Sequence, residues 1–392
     1  MLYRDDRYGN KLSQLGYGCM RFTKKGMNID LAKAEKEVLH AVDLGVNYFD
    51  TAYSYGGSEV ALGKIVEKNG IRDKINIATK LPQYLVKTSG AIDGFFNEEL
   101  SRLRTDHIDY YLMHMLTDVA AWNKLKKLGI EEWIAGKKAS QQIRNIGFSF
   151  HGNTDMFLEI LDAYDWDFCQ IQYNYLDEDT QGGRAGLMAA AAKGIPVIVM
   201  EPLRGGKLVD MMPADAKGLI TKEGRGRTAA ELAFRWLYDQ PQVTCVLSGM
   251  NSLEMIDENC RVASESESGC LEASERELVA SVRQAINGSV KVPCTGCGYC
   301  MPCPQGVDIP TVFNCYNHMF TENKGSGRAE YMQMMAFRKD MQGADKCISC
   351  GACVKRCPQS IEIPAELPKA DRALRPWFMK ITTGVMRLFR FW

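Results

Sequence analysis

Eight of the fourteen cysteines fall in two short runs, Cys294-x2-Cys297-x2-Cys300-x2-Cys303-Pro304 and Cys347-x2-Cys350-x2-Cys353-x3-Cys357-Pro358. Thiols this dense read as metal ligands. A disulfide framework belongs to short exported chains, whereas this chain has 392 residues and no apolar signal core after its first charges. Structural zinc usually takes two separated pairs of ligands. Four cysteines in one turn-rich run, twice over, suit iron–sulfur cubanes better, because three thiolates from a short loop can hold three corners of a cluster. A ninth cysteine of this region, Cys315, sits in a helical pattern and reads as a buried thiol rather than a spare ligand.

A second constellation lies far upstream. Asp50, Thr51, Ala52, Tyr53, Ser54, Tyr55 and Gly56 close one β-rich run, Lys80 ends the next, and His114 ends the one after. Reducing a carbonyl takes a hydride donor and a proton for the developing alkoxide. A tyrosine serves as that acid once its pKa falls below the usual ~10, and a nearby ammonium favours the phenolate. A carboxylate would fix the ammonium, and a histidine would complete the donor set around the substrate oxygen. Tyr55, Lys80, Asp50 and His114 supply these four parts. His40 and His107 read as structural or solvated, and His151, after GFSF, stays open.

Such groups converge only if parallel strands carry them. Eight β-rich runs are present: SQLGYGCMRF, VNYFDTA, INIATK, HIDYYLMH, IRNIGFSF, FCQIQYN, IPVIVME and VTCVLSG. Helical patterns separate them, among them DLAKAEKEVLHAVDLG ending on Gly45 and SEVALGKIVEKNG stopping at Gly70. Eight βα units predict an α/β chain folded as a closed (β/α)8 TIM barrel, with its chemistry at the carboxyl-terminal rim. The rival is an open doubly wound sheet. It would carry a glycine fingerprint if it bound a dinucleotide, and no G-x-G-x-x-G occurs.

Composition changes abruptly at VPCTGCGYCMPCP. The expected domains are a barrel over 1–288, a smaller cluster domain over 289–366 and a tail over 367–392. PTVFNCYNHMF and RAEYMQMMAFRKDM lie within the 43 residues between Cys303 and Cys347 and make the second domain mainly helical. The 48 basic and 48 acidic residues cancel, which leaves no global basic field for nucleic acid. No apolar run is long enough to span a membrane, and the expected location is cytoplasmic.

Two resemblances rest on these residues. The second cysteine run matches the bacterial ferredoxin pattern C-x2-C-x2-C-x3-C-P residue for residue, and the region resembles two-cluster ferredoxin domains. That likeness implies crossed ligation. One [4Fe–4S] cluster is expected on Cys294, Cys297, Cys300 and Cys357, and the other on Cys347, Cys350, Cys353 and Cys303. The first run departs from the pattern, with two residues rather than three before Cys303.

The chain up to residue 265 resembles the aldo-keto reductase family in LGYGCMR, NYFDTAYSYGGSE, IATK, YYLMH and VMEPLRGG. The resemblance implies a catalytic set of Asp50, Tyr55, Lys80 and His114, with Tyr55 as general acid–base. It implies a nicotinamide dinucleotide extended across the barrel mouth. Contacts are expected from Gly18, Cys19 and Met20, from Ser149 and Gln170, and from Pro202, Leu203 and Gly205 beside the pyrophosphate. Ser248, Gly249, Met250, Glu258 and Asn259 match the adenosine end. Phe150 stands where an asparagine is usual, and Met200 where an aromatic ring often stacks. Gly249 and Met255 fall where relatives place Lys and Arg against a 2′-phosphate, which wants charge-assisted contacts. NADH is therefore expected over NADPH, with Arg225 and Arg227 as alternative phosphate partners.

The implied function is an oxidoreductase that reduces a carbonyl or oxidises an alcohol, with two clusters for electron transfer. A cluster moves one electron and a nicotinamide moves a hydride, so a relay such as a flavin would be needed between them. No flavin motif is visible. The alternative is an electron-transfer protein or redox enzyme whose barrel takes electrons from the clusters, supplied by a ferredoxin- or flavodoxin-like partner. Asp371 to Trp392 holds five basic residues against one acid, among many apolar ones. Such a tail could contact an anionic membrane surface or an acidic partner. The expectation adopted is that it packs back on the protein.

Overall fold

The structure, a computed structural model, describes residues 1–294, 296, 298, 300–337, 342–357 and 359–376. Cys297, Pro358 and residues 377–392 of the tail lie outside the described residues, and with them most of the tail expectation.

Eight parallel strands close into a barrel: β1 (Leu15–Gly18), β2 (Tyr48–Asp50), β3 (Asn76–Leu81), β4 (Ile108–Leu116), β5 (Ile143–Phe150), β6 (Phe168–Gln172), β7 (Val197–Met200) and β8 (Val243–Ser248). They pair in chain order, and β8 closes on β1 through Val246↔Leu15, Leu247↔Gly16 and Ser248↔Tyr17. Each expected β-rich run holds one of them. The first strand is shorter than its run, because β1 stops at Gly18 and Cys19–Arg21 form a 3-10 turn at the rim.

The helices follow their patterns. Leu31–Asp43 starts on Asp30, whose carboxylate accepts from the Lys33 N–H, and Gly45 follows its end at φ 93°. That left-handed position is the one glycine fills at least cost. A hairpin of Tyr3–Asp5 with Lys11–Ser13 precedes the barrel and was not foreseen. It sends Leu12 in among the barrel's interior side chains.

Alternation decides what faces the axis. Strand side chains point to opposite faces in turn. Tyr48, Ala78, Leu112 and Phe168 pack inside, while Phe49, Ile77, Met113 and Cys169 belong to the outer layer beneath the helices. One further inward step toward the carboxyl ends reaches Asp50, Lys80, His114 and Gln170.

By packing, the chain divides into two units. The first is Met1–Gly205 with Thr228–Arg276, and the second is Gly206–Arg227 with the chain from Glu277 onward. In the second unit, helices Ile309–Thr321, Lys324–Phe337 and Ile363–Leu374 enclose a core that includes Val292, Val307, Phe313, Leu367 and Leu374. Cys315 is wholly buried in this core. Among the described residues no helix is long and apolar enough to cross a membrane.

Candidate active site and metal centres

Asp50, Lys80 and His114 are all buried at the barrel rim, and Tyr55 stands beside them in the turn after β2. Lys80 Nζ donates to Asp50 Oδ1 at 2.6 Å and to the Thr51 carbonyl at 2.7 Å. Gln170 Nε2 donates to the other Asp50 oxygen at 2.9 Å. Asp50 is thus fixed from two sides, and it fixes Lys80 in turn. The ammonium lies 5.1 Å from the centre of the Tyr55 ring. The Tyr55 and His114 rings meet edge-on, 6.0 Å between centres, and Tyr84 flanks His114 at 6.2 Å. Just past His114 a register shift interrupts β4, with Met115 at φ 55° and its N–H donating to Ser149 Oγ. Such bulges re-aim side chains beside active sites.

The charges inside this set differ from the simple expectation in one respect. Burial raises the Tyr55 phenol above its usual range; Lys80 pulls it back, but Asp50 adds to the rise. The expected lowering is therefore overturned. The physical reason is that Lys80 shares its charge with Asp50 at contact distance while Tyr55 loses its solvent. Burial would lower the Lys80 pKa, yet Asp50 and Tyr55 more than offset it, and the net shift is upward. His114 goes the other way: burial first, then the Lys80 ammonium and His151, bring it down to about 3. At neutral pH the set holds an ammonium, a protonated phenol and a neutral imidazole.

Two further groups join the site. His151 acts on His114 and is itself lowered, chiefly by burial. The Glu201 carboxylate acts on both Tyr55 and His151. Glu201 follows inward-facing Met200, so simple parity would turn it outward. Its positive φ of 55° is the feature that breaks the parity.

The residues expected to contact a dinucleotide are spread over the same rim. Ser149 is buried near the end of β5 and Gln170 in the middle of β6, and Gly205 follows β7 at φ 68°. Cys19 and Met250 have wholly or almost wholly buried side chains, so they offer only backbone groups to a ligand. Asn259 Nδ2 donates to Ser248 Oγ, and Glu258 accepts from Thr228 Oγ1. Phe150 is core, packed edge-on against Phe157. A side chain at Gly249 would meet Arg21 Cδ at 2.6 Å, and one at Gly205 would meet Arg21 Nη2 at 2.7 Å. Arg21, which sequence reasoning passed over, thus lies across both glycines. The positive φ values at Arg204, Gly205 and Gly206 give a run of left-handed backbone of the kind that turns N–H groups toward an anion.

In the second unit the cysteines fall into two groups. Cys294, Cys300 and Cys357 line one pocket together with Ile309, Phe313 and Ile361. Cys303, Cys347, Cys350 and Cys353 line another, which Cys300 borders as well. Each group thus takes a member from the opposite run. Among the described residues no three His, Cys, Asp or Glu side chains converge closely enough to hold a single metal ion. Thiols grouped around a pocket suit the donor set of a multi-iron cluster.

The aldo/keto reductase family model matches residues 14–268, and that of the 4Fe-4S dicluster domain matches residues 293–362. The chain is 28% identical over 268 residues to an aldo-keto reductase of Mycolicibacterium vanbaalenii, covering 66% of this chain and 83% of that one. It is 25% identical over 281 residues to L-galactose dehydrogenase of Arabidopsis thaliana, covering 66% and 87%. The holo form of aldo-keto reductase AKR11C1 from Bacillus halodurans superposes with a TM-score of 0.60 at 25% identity, over 72% of this chain and 96% of that one. An aldo-keto reductase from Klebsiella pneumoniae in complex with NADPH shares the fold, with a TM-score of 0.59 at 20% identity over the same shares, 72% and 96%.

Proposed function

The chain belongs to the aldo/keto reductase family and carries a 4Fe-4S dicluster domain, and from that premise we propose that this oxidoreductase reduces a carbonyl, or oxidises the corresponding alcohol, with a nicotinamide cofactor. The observation that carries the reading is the Lys80 ammonium beside the Tyr55 ring with Asp50 at its back. A bound nicotinamide would supply the hydride. Tyr55 holds its proton at neutral pH and gives it to the substrate oxygen as negative charge develops there. Lys80, locked by Asp50 and the Thr51 carbonyl, then stabilises the phenolate. Neutral His114 can donate a hydrogen bond to the same oxygen without bringing a second positive charge beside Lys80.

Ser149, Gln170 and the turn from Pro202 to Gly205 would hold the cofactor. Gly249 and Met255 carry no charge for a 2′-phosphate, which supports NADH. The two cysteine groups would each hold one [4Fe–4S] cluster, with Cys297 completing the first. Their role in this reading is to exchange single electrons with a carrier protein.

The test is anaerobic protein assayed with NADH and NADPH against a panel of aldehydes and ketones. Tyr55→Phe should lower kcat/KM by about 10²–10⁴-fold with unchanged iron content. Activity within threefold of the wild type would remove Tyr55 from the role of acid. A kcat/KM more than tenfold higher for NADPH would overturn the NADH preference and point to Arg225 or Arg227, or to Arg21 beside Gly249. Cluster absorbance bleached by NADH plus substrate would couple the two halves; bleaching only by dithionite or a reduced carrier would assign the clusters to an external donor.

A further inference from the structure

Among the described residues the two cysteine runs differ at one thiol each in exposure, and they differ in charge. Near the first run, Cys300 is buried, and apolar Ile309, Phe313 and Ile361 line its pocket. From Val292 to Val307 the chain contains no charged residue. In the second run Cys347, Cys353 and Cys357 are half-buried. Cys350 is the exposed thiol among the described cysteines. Ile348, two residues earlier, is 61% exposed and places an apolar side chain at the tip of this loop. Ser349 between them has φ 55°, with its N–H donating to Cys347 Sγ.

Around this loop stand Lys346, Lys355 and Arg356, all exposed. The nearby acid, Asp345, is taken up by Arg375 at 3.0 Å and lies 4.0 Å from Lys346. Among the described residues neither Lys355 nor Arg356 has an ion-pair partner. An apolar centre, a ring of cations and a cluster ligand therefore share one short exposed loop.

We propose that this loop is the port through which an acidic one-electron carrier protein exchanges electrons with the chain. The proposal rests on the reading that the clusters transfer electrons. Ile348 is the apolar contact at the centre of the interface, and Lys346, Lys355 and Arg356 steer and orient an acidic partner around it. Small interfaces of this kind suit transient electron-transfer encounters. Charge complementarity raises their association rate and makes it depend on salt. In each encounter one electron would leave the carrier and enter the cluster that Cys303, Cys347, Cys350 and Cys353 would hold. No bond forms or breaks, and no proton need move.

The probe is a reduced plant-type [2Fe–2S] ferredoxin of net negative charge, mixed anaerobically with the holoprotein. Cluster reduction is followed by absorbance and electron paramagnetic resonance, and binding by titration. The expected rate falls steeply between roughly 50 and 500 mM salt. Lys355→Glu with Arg356→Glu should slow it at least tenfold and flatten the salt dependence. Ile348→Ser should weaken binding at all salt concentrations. Reduction of the same variants by dithionite should be complete.

A charge-reversed protein as fast as the wild type would overturn the proposal. So would wild-type clusters that dithionite reduces but the carrier does not, a result that leaves the electron-transfer reading standing. Clusters that dithionite cannot reduce would remove that reading and the proposal with it. If the double variant fails to load iron, the wild type decides, because a carrier rate indifferent to salt refutes the port. Anionic phospholipid vesicles that bind through Lys355 and Arg356, with no engagement of the carrier, would make the surface a membrane contact and overturn the proposal too.

Discussion

His114 is 5% exposed, and its Nδ1 is buried without a hydrogen-bond partner among the described residues. With its pKa held at about 3 by burial, Lys80 and His151, it stays neutral in the folded protein far into the acid range. In the unfolded chain a histidine titrates near ~6.5. Between those two values the unfolded state binds a proton that the folded state refuses. Stability therefore rises with pH across this window and is lost as pH falls through it. The slope approaches about 1.4 kcal/mol per pH unit for one proton. His151, lowered chiefly by burial, contributes with the same sign. The melting temperature of the wild type should fall more steeply between about pH 6.5 and 4.5 than that of His114→Gln. Equal slopes would mean that folded His114 accepts the proton. That Asp50, Tyr55, Lys80 and His114 lie together could be read from their types at successive strand ends. The upward shift of Tyr55 could not, because it follows from burial and from Lys80 sharing its charge with Asp50. Glu201 escaped for a backbone reason, since a positive φ at a non-glycine residue leaves no mark in a strand pattern.

The turn after β7 shows what holds such a backbone in place. Glu201 and Arg204 both have positive φ, at 55° and 48°, and each such non-glycine residue costs about 1–2 kcal/mol. Asp177 acts as the brace. It accepts from Gln172 Nε2 at 3.1 Å, from Asn174 Nδ2 at 3.0 Å and from Arg204 Nε at 3.1 Å. Asn174 Nδ2 also reaches the Glu201 carbonyl at 3.1 Å. Asp177→Ala should release the turn. The KM for the nicotinamide cofactor should then rise about tenfold with kcat little changed, since the loss falls on binding rather than on the reacting atoms. Asp177→Glu should restore part of it, and an unchanged KM would show that the turn needs no brace. The eight strands themselves were readable, because each falls in a short run rich in Ile, Val, Tyr or Phe, and glycines mark the helix ends. The N-terminal hairpin was not, as its strands of three residues are too short to display a period. Neither was the grouping of Gly206–Arg227 with the second unit, which depends on packing between segments distant in sequence.

The molecule as a whole joins an aldo/keto reductase barrel to a 4Fe-4S dicluster domain, and the wiring of that second domain can be tested by a ligand that works away from its own run. Cys357 belongs by sequence to the second run, yet it lines the pocket of Cys294 and Cys300. Cys303 belongs to the first run and lines the pocket of Cys347, Cys350 and Cys353. Anaerobic preparations should contain about eight iron and eight acid-labile sulfide per chain, two cubanes' worth. Zinc at one or two equivalents without sulfide would remove the cluster assignment. If ligation is crossed, Cys357→Ser should damage the cluster held by Cys294, Cys297 and Cys300 and leave about four iron in the other. Cys353→Ser should do the opposite, although it lies only four residues earlier in the same run. A motif-by-motif arrangement predicts that both substitutions damage the same cluster. The two variants therefore separate wiring set by sequence order from wiring set by the fold, with the surviving cluster's paramagnetic resonance signal as the readout.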